Sequence, residues 1–150
     1  MPGWRIGFTL AHADLIKQCS KLQVQVTSHI CSIAQKAGVA ALEGSYDSVE
    51  TMRQSFIRRR DLVMSEISTW PGVVCCKPAG AFYLFPDVSG LFSPEMPDAT
   101  AVCSHLLEKG RVACVPGEAF GDPRCIRLSY AVSDDILIEA LQRMKEALYQ

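Results

Sequence analysis

The stretch V-P-G-E-A-F-G-D-P-R-C-I-R-L-S-Y-A, Val115 to Ala131, sets the style of the second half of the chain. A Gly/Pro-punctuated loop, Val115 to Gly121, leads shortly into a strand candidate, Cys125 to Ala131, in which Ile126 and Leu128 alternate with Arg127. Working outward, Val73 to Cys75, Phe82 to Phe85 and Arg111 to Val115 are further short strand candidates separated by Gly/Pro turns. A helix is expected from Ala99 to Glu108, ended by Gly110, and Ser133 should cap another from Ile136 to Leu148. The first half reads differently. Trp4 to Leu10 (WRIGFTL) has the aromatic and branched content of a strand, and His12 to Leu22 has an amphipathic helical pattern with Leu15, Ile16, Cys19 and Leu22 on one face. Ser28 is a candidate N-cap for a helix from Cys31 to Leu42, closed by Gly44. Asp47 opens a long helix to about Ser68, with Val49, Met52, Phe56, Ile57, Val63 and Ile67 as core candidates. The order predicts an α/β fold: a small mixed sheet covered by helices, attached to a helical stem.

Composition narrows the function classes. The 150 residues are 49% apolar and 21% charged, enough to bury a core. Fifteen basic against 16 acidic side chains leave no phosphate-neutralising excess, so neither nucleic acid nor a membrane surface is an expected partner. The run Arg58-Arg59-Arg60 lies in a helical stretch beside Asp61 and reads as a solvated helix face. Seven cysteines form no C-x-x-C pair and do not combine with His12, His29 or His105 at metal-ligand spacing. They read as reduced thiols, most of them small buried apolar residues, in a soluble intracellular protein with no metal. No Walker-type loop, G-x-S-x-G elbow or H-E-x-x-H run occurs. The opening M-P-G-W-R-I-G-F reads as the middle of a domain, as if a longer protein were already under way.

Two arginines stand out. Arg5 sits among apolar residues between Gly3 and Gly7, and Arg127 sits inside a strand pattern. An arginine within a strand costs desolvation unless it meets an anion, and its fork suits two-point binding of carboxylate or phosphate. Taken singly, each is also readable as the solvent-facing member of an alternation. The glycines around Arg5 and the loop before Arg127 keep the anion-binding reading open.

At these residues a family resemblance enters. G-W-R-I-G-F (Gly3 to Phe8), Q-V-T-S-H-I-C-S-I-A-Q-K-A (Gln25 to Ala37), G-A-F-Y-L-F-P-D (Gly80 to Asp87) and V-P-G-E-A-F-G…I-R-L-S-Y-A (Val115 to Ala131) occur in the order and spacing of class I/II, fold-type-I aminotransferases. The blocks resemble most closely the bacterial-type aspartate/prephenate enzymes of bacteria and plant plastids. The resemblance implies that residues 1–44 are a strand-and-helix remnant of the large cofactor-binding domain with an interface segment. Residues 45–150 would be the C-terminal small domain, including the long connecting helix. It implies pyridoxal 5'-phosphate as cofactor, with Arg5 clamping its phosphate, and Arg127 taking the substrate α-carboxylate. Thr27 and Ser28 would lie near the cofactor of the partner subunit in a homodimer. His29-Ile30 stand where the family usually has an asparagine-proline or similar pair; His29 reads as a turn or interface residue, with an acid-base role as the alternative. In the family the Schiff-base lysine lies a few residues before the glycine matching Gly3, so the resemblance implies that it would precede Met1; Lys17, Lys21 and Lys36 fall in the wrong blocks. On this reading the chain holds no catalytic residue and is inactive alone. Its parent would move an amino group between an aspartate- or glutamate-type amino acid and a 2-oxo acid, in cytoplasm or plastid. A non-catalytic dimerisation or interaction module derived from an aminotransferase is the alternative.

Overall fold

The computed structural model describes residues 1–150, Pro2 by its backbone alone. The chain divides into two compact units, Met1–Ser48 and Val49–Gln150.

The first unit holds two helices, α1 (Ala13–Val26) and α2 (Ser32–Glu43). The His12 ring accepts from the Asp14 amide at 3.4 Å and so caps α1, which runs four residues past the expected end. The segment expected as a strand, Trp4 to Leu10, is instead a 3-10 turn over Pro2–Trp4 followed by irregular chain. The physical reason is pairing: a strand needs a neighbour for its amides, and no described residue of this unit supplies one. Ser28 does not cap α2, because its backbone is left-handed (φ 60) whereas a cap residue is extended. Cys31 takes that position, and the Gln35 side chain donates to the Ile30 carbonyl at 2.8 Å just before the helix. Only Ala34 is buried in this unit among the described residues. Phe8, Leu10, Leu22, Val26 and Ile33 are exposed, so the amphipathic stripe of α1 finds no second layer within the unit.

The second unit carries the core. Helix α3 (Asp47–Ile67) leads into it, followed by β1 (Tyr83–Leu84), α4 (Ala99–Glu108), β2 (Val115–Pro116), β3 (Ile126–Ser129) and α5 (Asp134–Tyr149). The three strands order as β1-β3-β2, antiparallel at both seams, with Leu84 opposite Leu128 and Val115 opposite Arg127. Period two then decides the faces: Ile126 and Leu128 are buried, and Arg127 falls on the other side. Three helices meet the buried face through residues three or four apart: Val63 and Ile67, Val102 and Leu106, and Leu137, Leu141 and Met144. Each such side chain contributes about 1.5–3 kcal/mol through burial. Of the expected α3 core positions, Val49 and Met52 are exposed instead, because they precede the part of the helix that reaches this core. Asp98 caps α4, its carboxylate accepting from the Ala101 amide at 2.8 Å. The expected strands at Val73 to Cys75 and Arg111 to Val115 shrink to a single bridge, Val74 to Asp87, and to the two-residue β2.

The basic run is not simply a solvated face. Arg58 and Arg59 both donate to Asp134, at 3.0 and 2.6 Å, and Arg60 donates to Asp61 at 3.0 Å. Asp134 opens α5, so these pairs tie that helix start to α3. Lys145 donates to Glu66 at 2.8 Å and ties the two helices again near their other ends. The arginines hold the carboxyl of Asp134 below its ordinary range, as Lys145 and Trp70 do for Glu66. Arg124 holds Asp122 down to about 2. A carboxylate with a lowered folded-state pKa adds stability above about pH 4 and loses it as pH falls through the folded value. The urea midpoint of the second unit should therefore fall between pH 5 and pH 2, less steeply in high salt because these groups are partly open to solvent. A midpoint unchanged over that range would contradict the assignment.

No helix is long and apolar enough to cross a membrane. Among the described residues no group of three or more His, Cys, Asp or Glu is placed to hold a metal ion. All seven cysteines are free thiols. Burial raises Cys103 to about 11 and Cys114 to about 12, but of the seven thiols only Cys103 and Cys125 are buried, so the expectation that most are small buried apolar residues does not hold.

Candidate functional site

Arg127 is placed by three pieces of local structure. Strand β3 turns it away from the core, and β1 runs alongside with Tyr83 opposite Ser129, on the same face as Arg127. The loop Gly117–Phe120 forms a 3-10 turn that ends at Gly121 in the left-handed region (φ 92) and delivers Phe120. This loop closes because Gly117 lacks a side chain. Its amide donates to the Cys125 carbonyl at 2.7 Å, and a Cβ there would meet Asp122 and Cys125 carbonyl oxygens at 2.4 and 2.5 Å.

The guanidinium of Arg127 lies over both rings, its Cζ 4.6 Å from the Tyr83 centroid and 4.4 Å from that of Phe120. Phe85 meets Phe120 edge-on, with centroids 6.2 Å apart. Among the described residues no carboxylate pairs with Arg127. Its neighbour Arg124 is the opposite case, forked onto Asp122 at 3.1 and 2.8 Å and reaching Asp87 at 3.3 Å. One arginine of the loop is consumed by carboxylates; the other is half-buried against aromatic faces with its hydrogen-bonding edge uncommitted to an acid.

The strand beside Arg127 is braced from below. Ala81 has left-handed backbone (φ 61), and the hydroxyl of buried Tyr130 donates to its carbonyl at 3.0 Å. The Tyr130 amide donates to the Phe82 carbonyl at 3.0 Å, continuing the β1–β3 seam. Phe56 stacks on Phe82 and meets Tyr130 edge-on, with centroids 5.8 and 6.2 Å away.

In the first unit, Arg5 follows the 3-10 turn with left-handed backbone (φ 52). It lines an open cavity of about 400 Å³ together with Trp4, Gln23, Thr27, His29 and Ala34. Thr27 accepts a hydrogen bond from the Gln23 side chain. Ser28 turns instead to a larger cavity of about 760 Å³, shared with Ile6, Phe8, Gln35 and Val39. The structure thus brings Arg5 and Thr27 to one cavity and sends Ser28 to another, with His29 lining both. A guanidinium and a hydroxyl on one concave wall are a donor set that fits a phosphate group.

Arg127 is legible in the sequence, whereas its neighbours are not. Tyr83 and Phe120 stand inside the quoted motifs, yet only the β1–β3 register and the turn at Gly117 put them beside the guanidinium.

The family model described as aminotransferase class I and II matches residues 1–144. A bifunctional aspartate aminotransferase and glutamate/aspartate-prephenate aminotransferase from Petunia hybrida is 43% identical, across 99% of this chain and 33% of its own length. An aspartate/prephenate aminotransferase from Cereibacter sphaeroides is also 43% identical, across 97% of this chain and 38% of its own length. The crystal structure of the aspartate aminotransferase from Rhizobium meliloti superposes with a TM-score of 0.89 at 42% identity, covering 99% of this chain and 38% of that one. The chain spans about a third of the length of the curated relatives it matches.

Proposed function

We propose, from the premise that this chain belongs to the aminotransferase class I and II family, that it is the C-terminal part of a pyridoxal-phosphate enzyme. The enzyme moves an amino group between an aspartate- or glutamate-type amino acid and a 2-oxo acid. The observation that carries the reading is Arg127, a guanidinium held over two rings with no carboxylate partner among the described residues. Both substrates of such a reaction carry a carboxylate beside the reacting carbon. A two-point grip on that carboxylate fixes the direction in which the carbon presents its bonds, which is the positional contribution that substrate-clamping arginines make. The names of the Petunia hybrida and Cereibacter sphaeroides relatives support the aspartate type.

Arg5 would hold the cofactor phosphate, whose charge of nearly two needs fixed cationic donors. Thr27 and Ser28 would stand near the cofactor of the partner subunit in a homodimer. The cofactor, when bound, supplies an electron sink for charge developing at the substrate α-carbon. The residues of this chain contribute binding and orientation. The lysine that bonds the cofactor and moves the proton belongs outside these 150 residues, so the chain alone turns over no substrate.

The test is kinetic, in the longer enzyme that contains these residues. Arg127→Lys should raise KM for amino donor and oxo-acid acceptor alike, with the 150-residue chain as an inactive blank. Unaltered KM values would defeat the assignment.

A further inference from the structure

Arg124 and Arg127 leave the same loop-to-strand segment and are held by opposite means. Arg124 spends its fork on Asp122 and Asp87, in the plane of the guanidinium. Arg127 is held through the faces of two rings, Tyr83 and Phe120, at 4.6 and 4.4 Å. The difference matters because a guanidinium has two separable binding directions. Its π-face meets aromatic rings, and its N–H groups point outward in the plane. A carboxylate partner occupies the edge and ends the side chain's use as a receptor; a ring partner fixes the plane and leaves the edge for a ligand. A free arginine side chain also carries large rotamer freedom, which is lost when an anion binds unless something has already removed it.

We propose that Tyr83 and Phe120 are positioning residues for substrate. They form an aromatic clamp that fixes the guanidinium plane of Arg127 before a carboxylate arrives, and Phe85 braces Phe120 edge-on. This inference rests on the reading of Arg127 as the carboxylate-binding residue. The clamp favours a flat two-oxygen anion meeting the guanidinium in its plane. It also explains why the loop V-P-G-E-A-F-G must close tightly on Gly117: the closure sets where Phe120 stands.

The experiment uses the ¹⁵N-labelled 150-residue chain and propionate as a plain carboxylate probe, at fixed ionic strength. In the unsubstituted chain the Arg127 side-chain protons should be shifted upfield by the rings, and its Nε–H resonance should move as propionate is added. Phe120→Leu and Tyr83→Leu should each return those protons toward random-coil positions. Each should also weaken propionate binding about threefold to thirtyfold, the range that cation–ring contacts span between exposed and desolvated settings. Phe120→Tyr and Tyr83→Phe, which keep a ring, should retain both signatures; they separate the clamp from damage to folding, which amide dispersion reports. Arg127 protons at random-coil positions in the unsubstituted chain would overturn the clamp. So would upfield shifts that vanish in the leucine variants while propionate affinity stays the same, although the carboxylate reading would survive. If the ring shifts are present but propionate leaves Arg127 untouched, the carboxylate reading itself fails and the positioning role falls with it.

Discussion

Tyr130→Ala is expected to destabilise the Val49–Gln150 unit by about 3–5 kcal/mol, seen as a large fall in its urea midpoint. Tyr130 is 2% exposed and performs three jobs at one place. Its ring packs edge-on to Phe56, its hydroxyl donates to the Ala81 carbonyl at 3.0 Å, and its amide extends the β1–β3 seam at 3.0 Å. Truncating a buried aromatic leaves a cavity and costs about 3–5 kcal/mol. Small domains have only about 5–15 kcal/mol in total, so the loss is a large fraction of what holds the unit together. Tyr130→Phe isolates the hydroxyl: it keeps the ring and should cost about 1–2 kcal/mol, because the Ala81 carbonyl loses its donor. Urea unfolding followed through Trp70 fluorescence reads this unit, since Trp70 is buried beside Tyr149. A Tyr130→Ala chain with the midpoint of the original would refute the placement of this residue as the pillar of the site.

The second large effect is on catalysis in the longer enzyme. Arg127→Lys should lower kcat/KM about ten- to a hundredfold for donor and acceptor together. The magnitude follows from what is exchanged. A hydrogen bond to a charged group contributes about 1.5–3 kcal/mol, and each 1.4 kcal/mol is a factor of ten. Lysine keeps the charge but loses the second, parallel bond, and its compact ammonium cannot lie flat against Tyr83 and Phe120. The loss should appear equally for both substrates, because the carboxylate beside the reacting carbon is common to them. A change confined to one substrate would point instead to recognition of its side chain.

How much of this was legible in the sequence depended on whether the cause was local. Helix α4 spans the residues expected for it, because the groups that bound it, Asp98 before its first residue and Gly110 just past its last, flank it in the chain. The same holds for α3 to within one residue at its end. Composition overstates strands, because a strand is made by its neighbour: the segments 73–75 and 111–115 have β-rich composition but little pairing. Trp4 to Leu10 is the extreme case, with strand composition and no strand beside it in its unit. Arg58 and Arg59 looked like a solvated face because their partner, Asp134, stands 76 and 75 residues away. At the candidate site, Arg127 was visible from its own oddity among apolar residues. The rings that hold it were not, because the register Tyr83 to Ser129 and the closure at Gly117 are tertiary facts.

The distribution of thiols has a practical consequence. Cys103 and Cys114 are kept protonated far above neutrality by burial, and Cys125 is buried as well. Cys19, Cys31 and Cys76 are exposed. Only thiolates react with iodoacetamide, so a brief treatment at neutral pH should label the exposed three and spare those in the core. Two of the three lie on or beside the helices of the first unit and the third in the second, which gives each unit its own attachment point for a fluorophore or spin probe. Loss of this selectivity on mutation would report that the core had opened, without any need for an assay of turnover.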